Sequence, residues 1–305
     1  MLTPAGKMHA DEVDTDVALV RRLFAAQFPQ WADLPIQPVP SAGTDNALYR
    51  LGDHLVVRLP RIQGATGQVD KEHQWLPRLA PHLPLAIPAP LAKGTPGEGY
   101  PFHWSVYRWL EGENATIERI ANPCQAATEL AAFIAALQRI DPTGGPFAVD
   151  HNLRGVPLAM RDTYTREAIA ALHGMIDIDA VKTAWEAALQ APQWDRAPVW
   201  FHGDLLPGNL LVERGRLSAV IDFGGLGVGD PACDLMIAWG LFSGESRDVF
   251  HAALAVDDAT WARGLGRALS WALIFIPYYL DTNPVGVSGA RHVIDEVLAD
   301  HEHAP

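Results

Sequence analysis

The stretch "VWFHGDLLPGNLLV", residues Val199–Val212, places three polar side chains between two apolar runs. The polar residues are His202, Asp204 and Asn209, and a proline and a glycine mark a turn among them. Short apolar runs of this kind are typical of buried strands, so the polar side chains are predicted to lie on a loop that leaves and re-enters the core. Such a loop is suited to holding functional groups.

A second aspartate, Asp222, follows this loop at a spacing that is expected to bring it back beside Asn209. The runs "GNLLV" and "LSAVIDFG" are joined by the turn "ERGR", and Asp222 comes thirteen residues after Asn209. Because a hairpin of this size reverses the chain, the two residues are expected to lie close together. Mg²⁺ prefers oxygen ligands and takes few from protein when phosphates and waters supply the rest. The pair therefore predicts a magnesium site, with Asp204 beside it to accept a proton from an attacking hydroxyl.

Composition and charge narrow the classes of partner. The 305 residues carry a formal net charge of −13, which argues against nucleic acid, since neutralising phosphates needs a basic face. No apolar run reaches the roughly 18 residues of a membrane span, and the best, "WALIFIPYYL", predicts a buried helix segment. We expect no signal peptide, and the two distant cysteines predict reduced thiols in the cytoplasm. The negative net charge either attracts a cationic substrate or only keeps the protein soluble.

Secondary-structure patterns divide the chain into a β-rich front part and a mainly helical back part. "ALYRLGDHLVVRLP" predicts a β-hairpin that turns at Gly52, with a helix before it in Asp14–Phe28 and another after it in "VDKEHQWLPRLAPHL". "YPFHWSVYRWLEG" predicts a further strand. Beyond it, "NPCQAATELAAFIAALQRI" predicts a helix that starts at Asn122, and more helices follow, with a loop over residues 281–289.

The motif "HGDLLPGN", followed by "DFG", resembles the catalytic and metal-binding loops of the protein-kinase-like fold. The glycine after the histidine and the continuation "GGLGVGDPACDLMIAW" are similar to the aminoglycoside phosphotransferase family. The resemblance implies an α+β, protein-kinase-like two-lobe fold. Residues 1–108 would form a small β-rich nucleotide-binding lobe, and residues 109–305 a larger, mainly helical lobe for catalysis and substrate binding.

The same resemblance implies roles for residues of the back lobe. Asp204 matches the catalytic aspartate that orients and partly deprotonates the substrate hydroxyl, and Asn209 and Asp222 match the magnesium ligands. Three further residues match positions that stabilise these loops and take no part in the chemistry: His202, Asp230 and Asp234.

In the front lobe, Glu72 matches the glutamate that pairs with a basic residue on the preceding strand. That strand has Arg58 where a protein kinase has its phosphate-binding lysine, and Lys93 is expected in a glycine-rich loop. Arginine bonds phosphate oxygens bidentately and keeps its charge, so it can replace lysine, but the sequence leaves Arg58 and Arg61 open as alternatives. Backbone groups near the end of the lobe are expected to meet the adenine, at Val106, Tyr107 and Trp109.

These features predict a small-molecule kinase that uses ATP and Mg²⁺ to phosphorylate a substrate hydroxyl, with GTP left open as the nucleotide. The sequence does not specify the acceptor: the resemblance allows an aminoglycoside, a macrolide or another cationic alcohol. It does not specify the oligomeric state either. Two rival functions stay open. The single glycine of the predicted phosphate-covering loop "PSAGTDNALYR" favours a nucleotide-binding pseudokinase or regulatory module. A metal-dependent hydrolase would use His202 with Asp204 and Asp222.

Overall fold

The computed structural model of the protein describes residues 12–40, 45–147 and 153–302. These residues form two units by their internal contacts. The first ends at Glu111 and the second begins at Gly112, while residues His82–Leu85 group with the second. Part of the predicted phosphate-covering loop, residues 41–44, lies outside the described residues, as does the amino-terminal segment 1–11.

The first unit consists of a five-stranded sheet and two α-helices among its described residues. In chain order its elements are α1 Val17–Gln27, β1 Ile36–Pro38, β2 Asn46–Leu51, β3 Leu55–Pro60, α2 Thr66–Leu79, β4 Pro90–Gly94 and β5 Trp104–Arg108. The sheet order is β1-β2-β3-β5-β4, and every neighbouring pair is antiparallel. The predicted hairpin is confirmed, with Leu51 opposite Leu55. Gly52 makes the turn at a φ of +58°, which glycine adopts without a Cβ clash.

The core of the first unit lies between α1 and the sheet. Leu23 and Phe24 of α1 are fully buried, and the Phe24 ring meets Trp104 of β5 edge-on with the ring centroids 5.2 Å apart. Such aromatic pairs add about 0.5–1.5 kcal/mol beyond the burial of their area. Gly94 makes room for the indole, because a Cβ at that position would lie 2.0 Å from the Trp104 ring.

Lys93 lies on β4, so the expectation that it belongs to a glycine-rich loop is wrong. The neighbouring glycine suggested a loop, but Gly94 is required by the packing of Trp104 beneath it. The Lys93 ammonium forms an ion pair with Asp70 of α2, and these side chains are 35% and 60% exposed. At that exposure the pair contributes little to stability.

The second unit is mainly helical and contains the predicted hairpin near its middle. Its strands are β6 Glu113–Asn114, β7 Val199–Phe201, β8 Leu210–Glu213, β9 Arg216–Val220 and β10 Gly227–Gly229. Its helices are α3 Pro123–Arg139, α4 Asp162–Ala171, α5 Ile178–Gln190, α6 Ile237–Gly240, α7 Glu245–Leu254, α8 Asp258–Tyr279 and α9 Pro284–Glu302. Two small antiparallel sheets result, one with the order β6-β8-β9 and one that pairs β10 with β7.

Capping side chains mark where two helices of this unit start, α3 and α9. Asn122 begins α3 as predicted, since its Oδ1 accepts a hydrogen bond from the Gln125 N–H at 3.0 Å. The loop predicted over residues 281–289 is shorter than expected, because α9 begins inside it at Pro284. There the Asn283 Oδ1 accepts from the Gly286 N–H at 2.9 Å. The asparagine–proline pair that suggested a loop is the cap and first residue of a helix.

The apolar segment that the sequence marked as a buried helix forms the end of α8. Leu273 and Ile276 are buried there, whereas Tyr278 is 62% exposed. Within the described part of the chain, no helix has both the length and the apolar character that a membrane crossing requires.

Asp257 caps α8, and replacing it tests how far this helix depends on its first turn. Its Oδ1 accepts from the Thr260 N–H at 2.8 Å. Asp257→Ala is expected to lower the free energy of unfolding by about 1 kcal/mol, whereas Asp257→Asn, which still caps, should lose less. Urea unfolding at neutral pH measures both differences.

The pH dependence of the same two proteins gives a second check. Hydrogen bonds from the Thr260 side chain and backbone lower the pKa of Asp257 from its ordinary value of 3.8. A carboxyl with a lowered pKa in the folded state stabilises the fold above its unfolded pKa, and the contribution is lost as the pH falls through the folded pKa. Below pH 3.8 the wild type should therefore lose stability more steeply than Asp257→Asn. Parallel curves would contradict the capping role.

Candidate functional site

The predicted catalytic loop joins two strands of the second unit. β7 ends at Phe201, residues His202–Asn209 form the loop, called the HGD loop below, and β8 begins at Leu210. Phe201 pairs with Gly227 of β10, and Leu210 pairs with Val220 of β9. Both ends of the loop are therefore fixed by strand pairing, as the apolar flanks predict.

Gly203 determines the backbone path inside the HGD loop. Its φ is +83°, and a Cβ at this position would lie 2.3 Å from the carbonyl oxygen of Gly225. A side chain is excluded both by the left-handed conformation and by this contact. The loop backbone at Gly203 packs directly against the backbone of Gly225, in the segment that follows Asp222. The glycine of "HGD" is therefore required.

His202 braces the loop from inside the core. The residue has no exposed surface, and its Nε2 lies 2.9 Å from the Ile221 carbonyl oxygen. The Asp204 N–H donates to its Nδ1 at 3.2 Å. These contacts assign a neutral ring with its proton on Nε2. Since both ring nitrogens are engaged, His202 has no nitrogen left to act on a substrate.

Asp234 holds the same loop from the other side. Its side chain is fully buried, and its carboxylate accepts hydrogen bonds from the His202 N–H at 2.7 Å and the Gly203 N–H at 2.8 Å. Burial raises the pKa of this carboxyl, while the hydrogen bonds from the two backbone N–H groups and the charge of Arg267 oppose the rise. The carboxylate satisfies two backbone donors that would otherwise be buried without a partner.

Asp230 fixes the segment that precedes Asp234. Its Oδ1 accepts from the Ala232 N–H at 2.9 Å, which caps the short helical turn there. Arg263 of α8 binds both of its carboxylate oxygens, at 2.8 and 3.2 Å. A bidentate, buried pair of this kind is geometrically specific, so Asp230 ties the loop region to α8.

Asn209 and Asp222 are brought together by the β8–β9 hairpin. The Ile221 N–H donates to the Asn209 carbonyl at 2.8 Å, which places Asp222 one residue beyond the paired region. Asp222 has a φ of +61°, and its side chain accepts from the Gly224 N–H at 3.4 Å. The Asn209 Nδ2 donates to the Asp204 carbonyl at 2.8 Å and lies 3.3 Å from the Asp204 Oδ2. This orientation leaves the amide oxygen of Asn209 for another partner.

The oxygen donors at this place fit a magnesium ion that also binds phosphates. An amide oxygen and a carboxylate are hard ligands, and Mg²⁺ commonly takes only one or two groups from protein. Among the described residues, no group of three or more histidine, cysteine or acidic side chains forms a metal cage.

In the first unit, Arg58 and Glu72 form the pair that the sequence analysis expected. The Arg58 Nη1 lies 2.6 Å from the Glu72 Oε1, and its Nη2 donates to the Gln68 Oε1 at 2.8 Å. The Tyr107 hydroxyl donates to the other carboxylate oxygen of Glu72. Burial and the charge of Glu72 raise the pKa of Tyr107 well above its ordinary value, so this hydroxyl keeps its proton. The other candidate, Arg61, instead forms an ion pair with Glu12, with its Nη1 3.8 Å from the Glu12 Oε2.

The residues predicted to meet adenine take part in strand pairing. Val106 and Tyr107 lie on β5 between β3 and β4, and Val106 is fully buried. The Trp109 N–H donates to the His54 carbonyl at 2.7 Å, and its indole N–H has no acceptor among the described residues. Contact with adenine stays a prediction for this segment, and it would have to use groups not engaged in these bonds.

Sequence reasoning missed Arg154, which contacts the predicted catalytic residue. Its Nη2 lies 3.0 Å from the Asp204 Oδ1, although 50 residues separate the two in the chain. Burial lowers the pKa of Arg154, but the charge of Asp204, its hydrogen bond to Arg154 and the charge of Asp222 outweigh it and leave the pKa raised. No motif in the sequence marks this arginine, because only the folded chain brings it to the HGD loop.

Comparison with known proteins identifies the family. A family model described as "Phosphotransferase enzyme family" (APH) matches residues 36–269. No curated protein sequence matches the chain.

Solved antibiotic phosphotransferases have the same fold. The GDP and kanamycin complex of APH(2")-IIia is 19% identical, with a TM-score of 0.73, over 92% of this chain and 98% of that chain. The streptomycin–ATP–APH(2")-IIa ternary complex is 18% identical, with a TM-score of 0.60, over 86% of this chain and 90% of that chain.

A macrolide 2'-phosphotransferase, MphH from Brachybacterium faecium, is 25% identical, with a TM-score of 0.61, over 92% of this chain and 98% of that chain. These likenesses confirm the predicted α+β, protein-kinase-like two-lobe fold. Because the family model spans most of the sequence, including every residue of the HGD loop and its braces, the chain belongs to the phosphotransferase enzyme family.

Proposed function

We propose that this protein is a small-molecule kinase that transfers the γ-phosphate of ATP to a substrate hydroxyl. The observation that carries the proposal is the hydrogen bonding of Asn209 to Asp204, together with the hairpin that returns Asp222 to Asn209. Phosphoryl transfer asks the protein for positioning and charge neutralisation more than for covalent chemistry. The braced HGD loop supplies the positioning.

Each group has a defined task in this proposal. Asp204 aligns the acceptor hydroxyl and takes its proton as the oxygen attacks phosphorus. Asn209 and Asp222 hold Mg²⁺, which neutralises charge on the phosphates when it is bound. Arg58, fixed by Glu72, binds the phosphates of the nucleotide.

The proposed acceptor is a cationic alcohol. A net charge of −13 attracts such a molecule over a long range. Structural neighbours of this chain include kanamycin-bound and streptomycin-bound aminoglycoside phosphotransferases and a macrolide phosphotransferase. ATP is the proposed donor, and GTP belongs in the test because the neighbours include complexes with GDP as well as ATP.

A nucleotide-binding pseudokinase is the second candidate, favoured by the arginine in the place of the phosphate-binding lysine. A metal-dependent hydrolase is not proposed, because its base would be His202, whose ring nitrogens are both engaged.

A screen of ATP and GTP consumption tests these functions against each other. Aminoglycosides, macrolides, hydroxylated amines and sugars are each incubated with nucleotide and Mg²⁺, and phosphorylated products are detected by mass spectrometry. Transfer to one class supports the kinase. A thermal shift with MgATP but no transfer to any acceptor favours the pseudokinase, and hydrolysis without nucleotide contradicts both.

Arg58→Met is expected to raise the KM for ATP about ten- to a hundredfold, because a charge-assisted hydrogen bond contributes about 1.5–3 kcal/mol. Arg61→Met is the matched control and should change the KM less than twofold. Arg58→Met also leaves the buried Glu72 without its partner, so unfolding is measured in parallel and Arg58→Lys is included to retain the charge. A larger effect of Arg61→Met would assign the phosphate contact to Arg61.

A further inference from the structure

The HGD loop contains no lysine or arginine, and the cation beside Asp204 comes from elsewhere in the second unit. Arg154 provides it, with its Nη2 3.0 Å from the Asp204 Oδ1. The side chains of Arg154 and Asp204 are 23% and 24% exposed, so the pair is partly accessible to a ligand. The other guanidinium nitrogens of Arg154 make no hydrogen bond to the described residues, which leaves donors available.

The backbone on each side of Arg154 is clamped by buried groups. Leu153 and Gly155 both take a left-handed conformation, with φ of +52° and +64°. The Leu153 carbonyl accepts hydrogen bonds from Arg161, at 3.4 Å, and from Arg267 of α8. A strained conformation at a non-glycine residue such as Leu153 persists only where its surroundings enforce it.

Gly155 is fixed to the braces of the HGD loop itself. Its carbonyl accepts from the Asp230 N–H at 3.0 Å, and a Cβ on Gly155 would lie 2.1 Å from the Phe201 ring, so the Gly155 backbone packs directly against that ring. The Arg154 side chain then passes Gly225, where a Cβ would lie 3.2 Å from the Arg154 Cδ. These contacts fix both the backbone at Arg154 and the direction of its side chain toward Asp204.

The charge of Arg154 acts on both carboxylates of the site. It interacts electrostatically with Asp222 as well as with Asp204, so the guanidinium lies near the predicted metal ligand and the predicted catalytic aspartate together. In the proposed kinase, a phosphoryl group bound through a metal at Asp222 is transferred to a hydroxyl at Asp204, so it reacts close to both carboxylates. Fixed positive charge there stabilises the charge that develops during transfer, without reorganisation.

We propose that Arg154 is a catalytic phosphate-binding residue, which holds Asp204 with one nitrogen and the transferring phosphoryl group with the others. The inference rests on the proposed kinase function. In the step, the acceptor oxygen forms a bond to the γ-phosphorus and the bond from that phosphorus to the β,γ-bridging oxygen breaks. The hydroxyl proton passes to Asp204, and ADP leaves with the electron pair. Arg154 neutralises the phosphoryl oxygens throughout and exchanges no proton.

The test compares Arg154→Met, Arg154→Lys and a matched control, Arg166→Met, whose exposed arginine on α4 pairs among the described residues with Asp162 and Glu186. With the acceptor found by the screen, Arg154→Met should lower kcat about a hundredfold. The KM for ATP should change less than threefold, and Arg154→Lys should recover part of the loss. The control should match the wild type.

Binding of a transition-state mimic gives a readout that a purely structural role would not change. Arg154→Met should bind MgADP with aluminium fluoride at least tenfold more weakly than the wild type, while its affinity for MgADP alone is retained. Unchanged kcat, or equal weakening of both affinities, would overturn the inference. If Arg154→Met does not fold, Arg154→Gln takes its place in both measurements. A wild type that transfers phosphate to no acceptor contradicts the proposed function instead.

Discussion

Asp204→Asn is expected to lower the kcat of phosphoryl transfer about a thousandfold, with little change in the affinity for MgADP. A positioned general base contributes about 10²–10⁴-fold to a rate, and asparagine keeps the size of the side chain while it removes the proton acceptor. The HGD loop should keep its shape, because its braces contact the backbone of Asp204 and its neighbours. Initial rates with the acceptor from the screen, and calorimetry with MgADP, measure the two quantities.

Asp295→Asn is the control for this experiment, since Asp295 lies exposed on α9 and belongs to no described ion pair. It should turn over at the wild-type rate. If Asp204→Asn also turns over at the wild-type rate, the catalytic role of Asp204 and the proposed mechanism are both wrong. Loss of MgADP binding together with turnover would mean that Asp204 supports the nucleotide and not the acceptor.

Asp234→Ala is expected to give the largest loss of stability among substitutions near the site. The change removes the acceptor of two buried backbone N–H groups, those of His202 and Gly203. Each unsatisfied donor costs about 1–3 kcal/mol, so the free energy of unfolding should fall by about 2–6 kcal/mol. Urea unfolding measures the loss, and kcat should fall as well because the HGD loop loses its fixed position.

Asp234→Asn and Asp295→Ala are the controls for the stability loss of Asp234→Ala. The asparagine keeps one acceptor oxygen, so its loss of stability should lie between those of the wild type and the alanine variant. Asp295→Ala should stay within about 0.5 kcal/mol of the wild type, as is usual for surface changes. If Asp234→Ala proves as stable as Asp295→Ala, the two N–H groups have found other acceptors and the bracing role is wrong.

Much of the fold follows from local signals in the sequence. The β2–β3 hairpin is marked by alternating apolar residues around Gly52, and the start of α3 by Asn122 and its proline. The predictions failed where a local signal has two meanings. Pro284 follows an asparagine and so suits a loop or a helix start, and Gly94 suits a loop or a close strand contact.

The contiguous part of the candidate site was also predictable, because the spacing of Asp204, Asn209 and Asp222 specifies a loop and a returning hairpin. The contacts made by Arg154 and by the Tyr107 hydroxyl were not, since each joins groups 35 or more residues apart. Such contacts depend on how whole elements pack. Nothing in the immediate neighbourhood of Arg154 in the sequence indicates a partner in the HGD loop.

β4 is an edge strand of the five-stranded sheet, and its residues affect whether copies of the protein aggregate at high concentration. A terminal strand presents backbone groups to any extended chain, and that is a route to aggregation. Pro90 offers no N–H at the start of β4, Lys93 puts a charge in the strand, and the register with β5 shifts between Pro90 and Ala92. Each feature opposes the addition of a foreign strand. Lys93, whose ammonium pairs with Asp70 of α2, is thus one of three features that oppose strand addition at this edge of the sheet.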